Sequence, residues 1–411
     1  MISAIGAEQT LTVAGPIAWV AVMALLLGAF LFTRRHPGGG LGLVVAALPL
    51  YQVRGSLGLP TTLLELLLGA VLLGILSRWP AYKPRWSPYD PWLALWAGGS
   101  LVAALLAPDP QQGLGLWRAF FLEPVLFFVV ARTVFTKESA RPIAYGAAAA
   151  VGITALWTAA LALGGTALSY DGRLTGPFQS ANFLAHLGVP LGLLLIGWPQ
   201  RLPAYVRYVP ALLALGLLAG SQSRGGVLAF AIGAATLVAL RSGAVWLKRG
   251  AVVALALGLV ATAGLTLVER SDQYSTRSVL WKTALEVVGE RPLLGAGPEH
   301  FQDEVRRRMG GDEELRQFVI PRAPDAHNVF LVTWTEWGLL ALLGLLGLLG
   351  TAARLLYRRR DAWVPPAAAM TAAIVTHGLV DTPILKNDLA LVFMVVLLLT
   401  VLPQAAKRRA A

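Results

Sequence analysis

Residues 328–350 read NVFLVTWTEWGLLALLGLLGLLG, and this stretch decides the fold class. It contains one ionisable side chain, Glu336, and is longer than the roughly 20 apolar residues with which a helix crosses a bilayer. Comparable apolar stretches recur along the chain, for example at 13–33, 142–163 and 251–268. The sequence therefore predicts an integral membrane protein built from helices.

The composition agrees with this prediction. Of the 411 residues, 56% are hydrophobic and only 14% are charged, against roughly 25% charged residues in an average soluble protein. We expect an all-α integral membrane protein with about 12–13 transmembrane helices and one large, partly helical extracytoplasmic loop. The predicted spans lie near 13–33, 38–53, 59–77, 91–107, 116–135, 142–163, 182–198, 208–220, 224–240, 251–268, 328–350, 363–380 and 389–404.

The charged residues predict the orientation. Lys and Arg in short loops stay in the cytoplasm, and pairs such as Arg34-Arg35, Arg201/Arg207 and Arg358-Arg359 all fall on one side of the predicted spans. The first span ends at Arg34-Arg35 without a small-residue cleavage site, which favours a retained helix. The net charge of +12 is then mainly a topology signal, and no nucleic-acid partner is implied because the basic residues form no single patch. The absence of cysteine excludes disulfides and a thiol nucleophile.

One segment differs from the rest, and it divides the chain. Residues 269–327 contain nine Lys or Arg and eleven Asp or Glu. Ser275 or Thr276 is a plausible cap for a helix that ends near Pro292, and two short surface helices are expected at 299–309 and 312–318. We predict four parts: N-terminal transmembrane helices (1–163), core transmembrane helices (164–268), a large extracytoplasmic loop (269–327) and C-terminal transmembrane helices (328–411).

Four ionisable residues at the predicted outer ends of spans are candidates for chemistry: Arg173, Arg224, Arg277 and His327. Guanidinium groups bind phosphate oxygens through planar, paired hydrogen bonds, so several together suggest a diphosphate. A histidine beside them could take a proton from an attacking hydroxyl. Taken singly, each arginine is also typical of an anchor that reaches the membrane surface, and a lone histidine is often structural.

The absence of several common motifs argues against other classes of function. The sequence contains no P-loop, no dinucleotide fingerprint and no His-Glu-x-x-His, so no cofactor is expected. His186, His300 and His377 show no metal-like spacing, and we expect no metal site. Glu336 could serve function or pair helices.

The candidate residues lie in motifs that resemble a known family. Gly172-Arg173-Leu174-Thr175-Gly176 with Asn182, Ser223-Arg224-Gly225, Arg277-x-x-x-Trp281 followed by residues 292–297, and His327-Asn328 followed by Glu336 and Gly338 occur in this order. They resemble the O-antigen ligase and O-antigen polymerase superfamily, which comprises bacterial lipid-linked glycan ligases and polymerases of the GT-C type. The resemblance covers roughly residues 170–340.

This resemblance implies an inverting, metal-independent glycosyltransferase. Its donor would be a glycan on undecaprenyl diphosphate at the outer face of the bacterial inner membrane, and its acceptor a sugar of the lipid A core or another glycan. Arg224, Arg277 and Arg173 would bind the diphosphate. His327 would activate the acceptor hydroxyl, with support from the residues Asn328, Glu336 and Trp281.

The type of transfer and a second function class stay open. The polymerase motif is an arginine followed, after ten intervening residues, by a glycine. Neither outer arginine fits this motif, because the position expected to be glycine is Leu184 after Arg173 and Val288 after Arg277. This favours an O-antigen ligase of lipopolysaccharide assembly over a polymerase. A transporter or flippase of an anionic lipid-linked substrate could use the same arginines, although it would place charge near the midplane. A membrane scaffold is a third alternative.

Overall fold

The fold was analysed in a computed structural model, which describes residues 11–13, 15–56, 60–78, 81, 86–169, 171–242, 276–308 and 325–402. The predicted span at 251–268 and the predicted helix at 312–318 lie outside the described residues. All other predicted spans correspond to helical segments, so the prediction of an all-α membrane protein is confirmed.

The helices follow the apolar stretches closely. Six of the described helices are long and apolar enough to cross a bilayer: Pro16–Arg35, Pro110–Val134, Lys137–Leu163, Ala204–Ser221, Arg224–Arg241 and Val329–Arg358. In chain order the described helices are α1 Pro16–Arg35, α2 Pro37–Ala46, α3 Leu63–Leu76, α4 Asp90–Leu105, α5 Pro110–Val134 with a π-helical turn at Arg118–Leu122, α6 Lys137–Leu163, α7 Ala181–Gly197, α8 Ala204–Ser221, α9 Arg224–Arg241, α10 Thr276–Glu290, α11 Phe301–Arg308, α12 Val329–Arg358, α13 Val364–Gly378 and α14 Asn387–Thr400.

The predicted span at 38–53 is not one helix. Helix α2 ends at Ala46, and a 3₁₀ turn, Leu48–Gln52, follows with Pro49 near its start. Proline has no N–H with which to continue the α-helical ladder, so the chain leaves the helix here. It then forms a strand that the sequence did not predict. In this small sheet, β2 (Val53–Ser56) pairs in parallel with β1 (Leu11–Thr12) and antiparallel with β3 (Pro60–Thr62).

Helix α14 lies at the centre of the bundle. All of its side chains are buried, which is the pattern of a helix that is apolar on every side. Around it, α7 packs between α8 and α13, α9 packs along α13, α12 packs along α4, and α2 packs along α6. The end of α14 that begins at Asn387 therefore lies among the ends of α7 and α13, where the polar residues described below gather.

At the opposite end of the bundle, arginines close the carboxyl ends of helices. Arg241 donates to the carbonyl of Gly197 (2.6 Å), Arg207 donates to that of Trp198 (3.0 Å), and Arg359 donates to that of Leu399 (2.9 Å). The last carbonyls of a helix lack partners within the helix, and cations are favourable at that end of the helix dipole. Arg207 and Arg359 are among the arginines that the sequence places on one side of the membrane.

The large loop is joined to α12 by close backbone contacts. Helix α10 ends at Glu290, and the turn that follows contacts α12 where Gly338 has a φ of 80° and interrupts the helix. There the N–H of Leu339 donates to the carbonyl of Leu293 (3.0 Å), and the N–H of Ala296 donates to that of Thr335 (2.6 Å). A compact apolar cluster completes the docking, formed by Leu280, Ala284, Phe301, Val305, Ala326 and Val332.

Gly295 provides a test of this docking. Its φ is 69°, and a Cβ at this position would lie 2.1 Å from the carbonyl oxygen of Thr335. We therefore expect Gly295→Ala to lower the free energy of unfolding by about 1–3 kcal/mol or more. The matched control is Gly289→Ala in α10, where a Cβ meets nothing within 4 Å and alanine should stabilise the helix by up to about 1 kcal/mol. Thermal unfolding in detergent measures both, and equal midpoints for the two variants would contradict the described docking.

Candidate functional site

The buried carboxylate of Asp381 is the centre of the polar end of the bundle. Asp381 follows α13 and is only 5% exposed. One of its oxygens accepts a hydrogen bond from Asn182 Nδ2 (2.5 Å), and the other accepts from the backbone N–H of Thr382 (2.9 Å). The Nε2 of His186 lies 3.7 Å from one oxygen, and the Nδ1 of His327 lies 3.8 Å from the other. The carboxylate thus joins α7, the end of α13 and the turn before α12.

His327 lies in a strained turn between the loop and α12. Its φ is 45°, in the left-handed region, and its backbone N–H donates to Asp325 Oδ1 (2.6 Å). Its ring Nδ1 is 3.4 Å from the same carboxylate oxygen. The next residue, Asn328, caps α12 by accepting from two backbone N–H groups of the first turn, and its Nδ2 donates to the carbonyl of Leu379 (3.0 Å). The imidazole is therefore held between two carboxylates.

These two carboxylates differ in their electrostatics. Burial acts to raise the pKa of Asp381, but the neighbouring His186, His327 and His377 together lower its pKa below the ordinary value. Burial raises the pKa of Asp325, and the nearby carboxylate of Asp381 adds to that rise. Asp381 is consequently the group of the pair that keeps its negative charge most firmly beside His327.

Arg224 begins α9 at a corner, formed by residues 221–224, that joins α9 to the end of α8. The hydroxyl of Ser223 caps the helix by accepting from the N–H of Gly226 (3.2 Å). A Cβ at Gly225 would lie 3.2 Å from Nε2 of His377, so the backbone of this corner lies directly against the His377 ring. The side chain of Arg224 itself is exposed.

Arg277 and Trp281 lie one turn apart on α10. The indole N–H of Trp281 donates to the carbonyl of Ala326 (3.0 Å), the residue immediately before His327. Arg277 is half-buried, and its charge acts on the buried ring of His377. The loop helix therefore brings Arg277 to the same group of residues that the Arg224 corner and His327 surround.

Arg173 is engaged by the protein itself. Its Nε donates to the carbonyl of Ser221 (2.9 Å), its Nη2 donates to Asn182 Oδ1 (2.8 Å), and its Nη1 lies 3.9 Å from Asp171. Since Asn182 in turn donates to Asp381, Arg173 lies behind the carboxylate. It connects to the site through Asn182.

Glu336 is buried in α12. Its carboxyl interacts electrostatically with Glu299 in the loop and with Asp325, whose carboxylate contacts His327. The pKa of Glu299 itself is raised by burial. Glu336 therefore lies where the loop docks onto α12.

Sequence reasoning missed several residues of this site: Asp325, His186, His377 and Asp381. His186 and His377 are in contact, with ring centroids 4.1 Å apart. With Asp381 they form a group whose nitrogen and oxygen atoms lie within 4.8 Å of one another, a set that could hold a metal ion. The local spacing His377-x-x-x-Asp381 at a helix end was the available signal, whereas no spacing connects either residue with His186.

A comparison with known families now bears on this geometry. Residues 209–346 match the sequence profile of the family described as O-antigen ligase. This match supports the similarity of the chain to the O-antigen ligase and polymerase superfamily. No curated protein matches the chain. The family match includes Arg224, Arg277, Trp281, His327, Asn328 and Glu336, while Arg173, His186, His377 and Asp381 lie outside it.

The superfamily resemblance predicted from the motifs is thereby confirmed. The match supports a membrane enzyme of the O-antigen ligase or polymerase type, and it implies glycosyltransferase-like chemistry with a lipid-linked glycan and an acceptor as substrates. The candidate residues of the family motifs, Arg224, Arg277 and His327, come from three separate elements and lie around one buried group.

Trp281 tests the docking of α10 onto the His327 turn. Trp281→Phe keeps the ring but removes the hydrogen bond to Ala326, whose loss should cost about 1 kcal/mol. We expect the amides of residues 325–328 to exchange with solvent about fivefold faster. Hydrogen exchange read by mass spectrometry measures this, with Trp86→Phe as the control because Trp86 is 80% exposed. The docking would be contradicted if both variants exchanged at the wild-type rate.

Proposed function

We propose that this protein transfers a glycan from undecaprenyl diphosphate to a hydroxyl of an acceptor sugar, as an O-antigen ligase of lipopolysaccharide assembly. The observation that carries the proposal is that the Arg224 corner, Arg277 and His327 surround the same buried residues at one end of the bundle. Separate anchors for the membrane surface would have no reason to converge. The proposed location is the bacterial inner membrane, with the site on the extracytoplasmic face.

In the proposed reaction, His327 takes the proton of the acceptor hydroxyl. The acceptor oxygen then forms a bond to the anomeric carbon while the bond from that carbon to the diphosphate oxygen breaks, which inverts the configuration. The electron pair leaves with undecaprenyl diphosphate. The imidazolium that forms lies beside Asp381 and Asp325, whose negative charges stabilise it.

The guanidinium groups of Arg224 and Arg277 would bind the donor diphosphate. Their charge does not titrate, and their planar geometry matches phosphate oxygens. Arg224 is exposed and free to meet a lipid headgroup at the end of a span. Arg173 supports the site from behind through Asn182. Because the charge that develops on the leaving group is met by arginines, the transfer is proposed to need no metal at the diphosphate.

Single substitutions separate these roles. His327→Ala should lower turnover by about 10²–10⁴-fold, as is typical of a general base, and leave donor binding intact. Arg224→Ala and Arg277→Ala should weaken both donor binding and turnover, and lysine at either position should restore activity only in part. The matched controls are His36→Ala and Arg35→Ala, which are exposed at the opposite end of the bundle.

A binding assay with undecaprenyl-diphosphate glycan and a turnover assay read these outcomes in parallel. If His327→Ala lost donor binding as severely as the arginine variants, His327 would be a phosphate ligand and not the base. Full activity of His327→Ala would end the catalytic role proposed for it.

Magnesium dependence gives an independent test. We expect equal turnover in Mg²⁺-free buffer and with Mg²⁺ in excess, because guanidinium groups occupy the place that a hard cation would take at a diphosphate. The measurement is initial rate of transfer across a Mg²⁺ titration. A rate that requires Mg²⁺ would contradict arginine recognition of the diphosphate.

Product identity decides between a ligase and a polymerase. Purified protein would receive the undecaprenyl-diphosphate glycan with either a lipid A core acceptor or a second lipid-linked glycan. The ligase proposal expects product on the lipid A core alone, and elongation of the lipid-linked glycan would assign a polymerase instead. Net movement of intact donor across a vesicle membrane, with no transfer product, would assign the transporter class.

A further inference from the structure

His186 and His377 are in contact within the bundle. His186 lies on α7 and His377 near the end of α13, and both are only 2% exposed. Their rings meet at an interplanar angle of 69° with centroids 4.1 Å apart. Asp381, one turn beyond His377, places an oxygen 3.7 Å from Nε2 of His186. Two imidazoles and a carboxylate from distant parts of the chain thus converge.

Their polar atoms are incompletely satisfied. Among the residues that the structure describes, the two ring nitrogens of His186 and the Nε2 atom of His377 have no hydrogen-bond partner. A buried polar atom left unpaired costs about 1–3 kcal/mol, and buried polar groups in native proteins are almost always paired. Since Nε2 of His186 faces Asp381 and the two rings are in contact, these unpaired nitrogens indicate that this place binds something other than the described groups of the chain.

We propose that His186, His377 and Asp381 form a site for one zinc ion. One nitrogen from each imidazole and one carboxylate oxygen make up the ligand set, which is the combination of nitrogen and oxygen donors that zinc takes in proteins. The site joins α7 to the end of α13. It goes beyond the proposed transfer reaction, in which no metal contacts the donor.

The geometry needs only a small contraction to form this site. Ligand atoms at about 2.0–2.1 Å from a tetrahedral zinc ion lie about 3.3 Å from one another, and the three atoms here lie within 4.8 Å. Asn182 donates to Asp381 at 2.5 Å and is itself held by Arg173, so the carboxylate ligand already has the outer support that metal sites require.

The surroundings favour zinc over magnesium. The positive charge of Arg277 acts on His377 and opposes any cation there, so binding depends on bonds to the imidazole nitrogens. Imidazole suits zinc, whereas magnesium prefers oxygen ligands and keeps several waters. A zinc ion here would fix Asp381 in place between α7 and α13, and through Asp381 it would fix the position of His327.

Metal content tests the proposal directly on the full-length protein in detergent. Protein purified in zinc-supplemented buffer and then exchanged into metal-free buffer should contain about one zinc per chain, as measured by inductively coupled plasma mass spectrometry. Cobalt in place of zinc should give the intense visible absorption of a tetrahedral site with nitrogen ligands. Zinc, and not magnesium, should raise the unfolding temperature of the stripped protein.

Variants locate the ion. His186→Ala and His377→Gln should abolish the stoichiometric zinc and the cobalt spectrum, and Asn182→Ala should weaken zinc binding roughly 10- to 100-fold. The matched control is His300→Ala in the loop, whose ring Nδ1 lies 2.7 Å from the carbonyl of Pro298, and it should retain both signals. Because the zinc-dependent thermal shift is measured on the wild-type chain, the test does not depend on whether the variants fold.

The proposal fails if the wild-type protein contains no stoichiometric metal and gives neither a cobalt spectrum nor a zinc-specific thermal shift, in which case water bridges the two rings and the carboxylate. It also fails if zinc binds equally well to His186→Ala and His377→Gln. Neither result bears on donor binding by Arg224 and Arg277, so failure here is distinct from failure of the proposed transfer reaction.

Discussion

A buried negative charge must be matched by donors or cations, and at the polar end of this bundle that constraint falls on Asp381. The carboxylate meets Asn182 from α7, the turn that carries His327, and the backbone of its own turn. These contacts come from segments that are far apart in the sequence. The positions of α7, α13 and the His327 turn therefore depend on one another, because moving any one of them would remove a partner of the buried carboxylate.

The same constraint gives the three arginines different surroundings, although the sequence presents them as equivalent. The guanidinium of Arg173 donates hydrogen bonds to the carbonyl of Ser221 and to the side chain of Asn182, so Arg173 is part of the framework of the site. Arg224 is exposed at a helix start, and Arg277 is brought in by the loop helix α10. The two arginines proposed to bind the diphosphate thus come from two separate elements, the start of α9 and the docked loop helix α10.

The sequence predicted the helices well because long apolar runs leave few alternatives in a membrane. The predicted span at 38–53 was wrong, because Pro49 interrupts the hydrogen bonds of the helix and a strand follows. Hydrophobicity alone does not show where a backbone N–H is missing. Arg224, Arg277 and His327 could be selected as candidates because charges at span ends are conspicuous. The contact of His186 with His377 and Asp381 was missed because it is set by the packing of α7 against α13, which no local spacing encodes.

The interruption of α12 at Gly338 has a consequence for the order in which the chain matures. At that point the N–H of Leu339 has its partner in Leu293 and the carbonyl of Thr335 has its partner in Ala296, both from the preceding loop. In hydrocarbon these groups have no water to turn to. A newly inserted α12 can keep this kink only once residues 293–296 are in place. Until then a continuous helix would leave fewer backbone groups unpaired, so we expect α12 to bend when the loop docks. The same docking places Trp281 against the His327 turn.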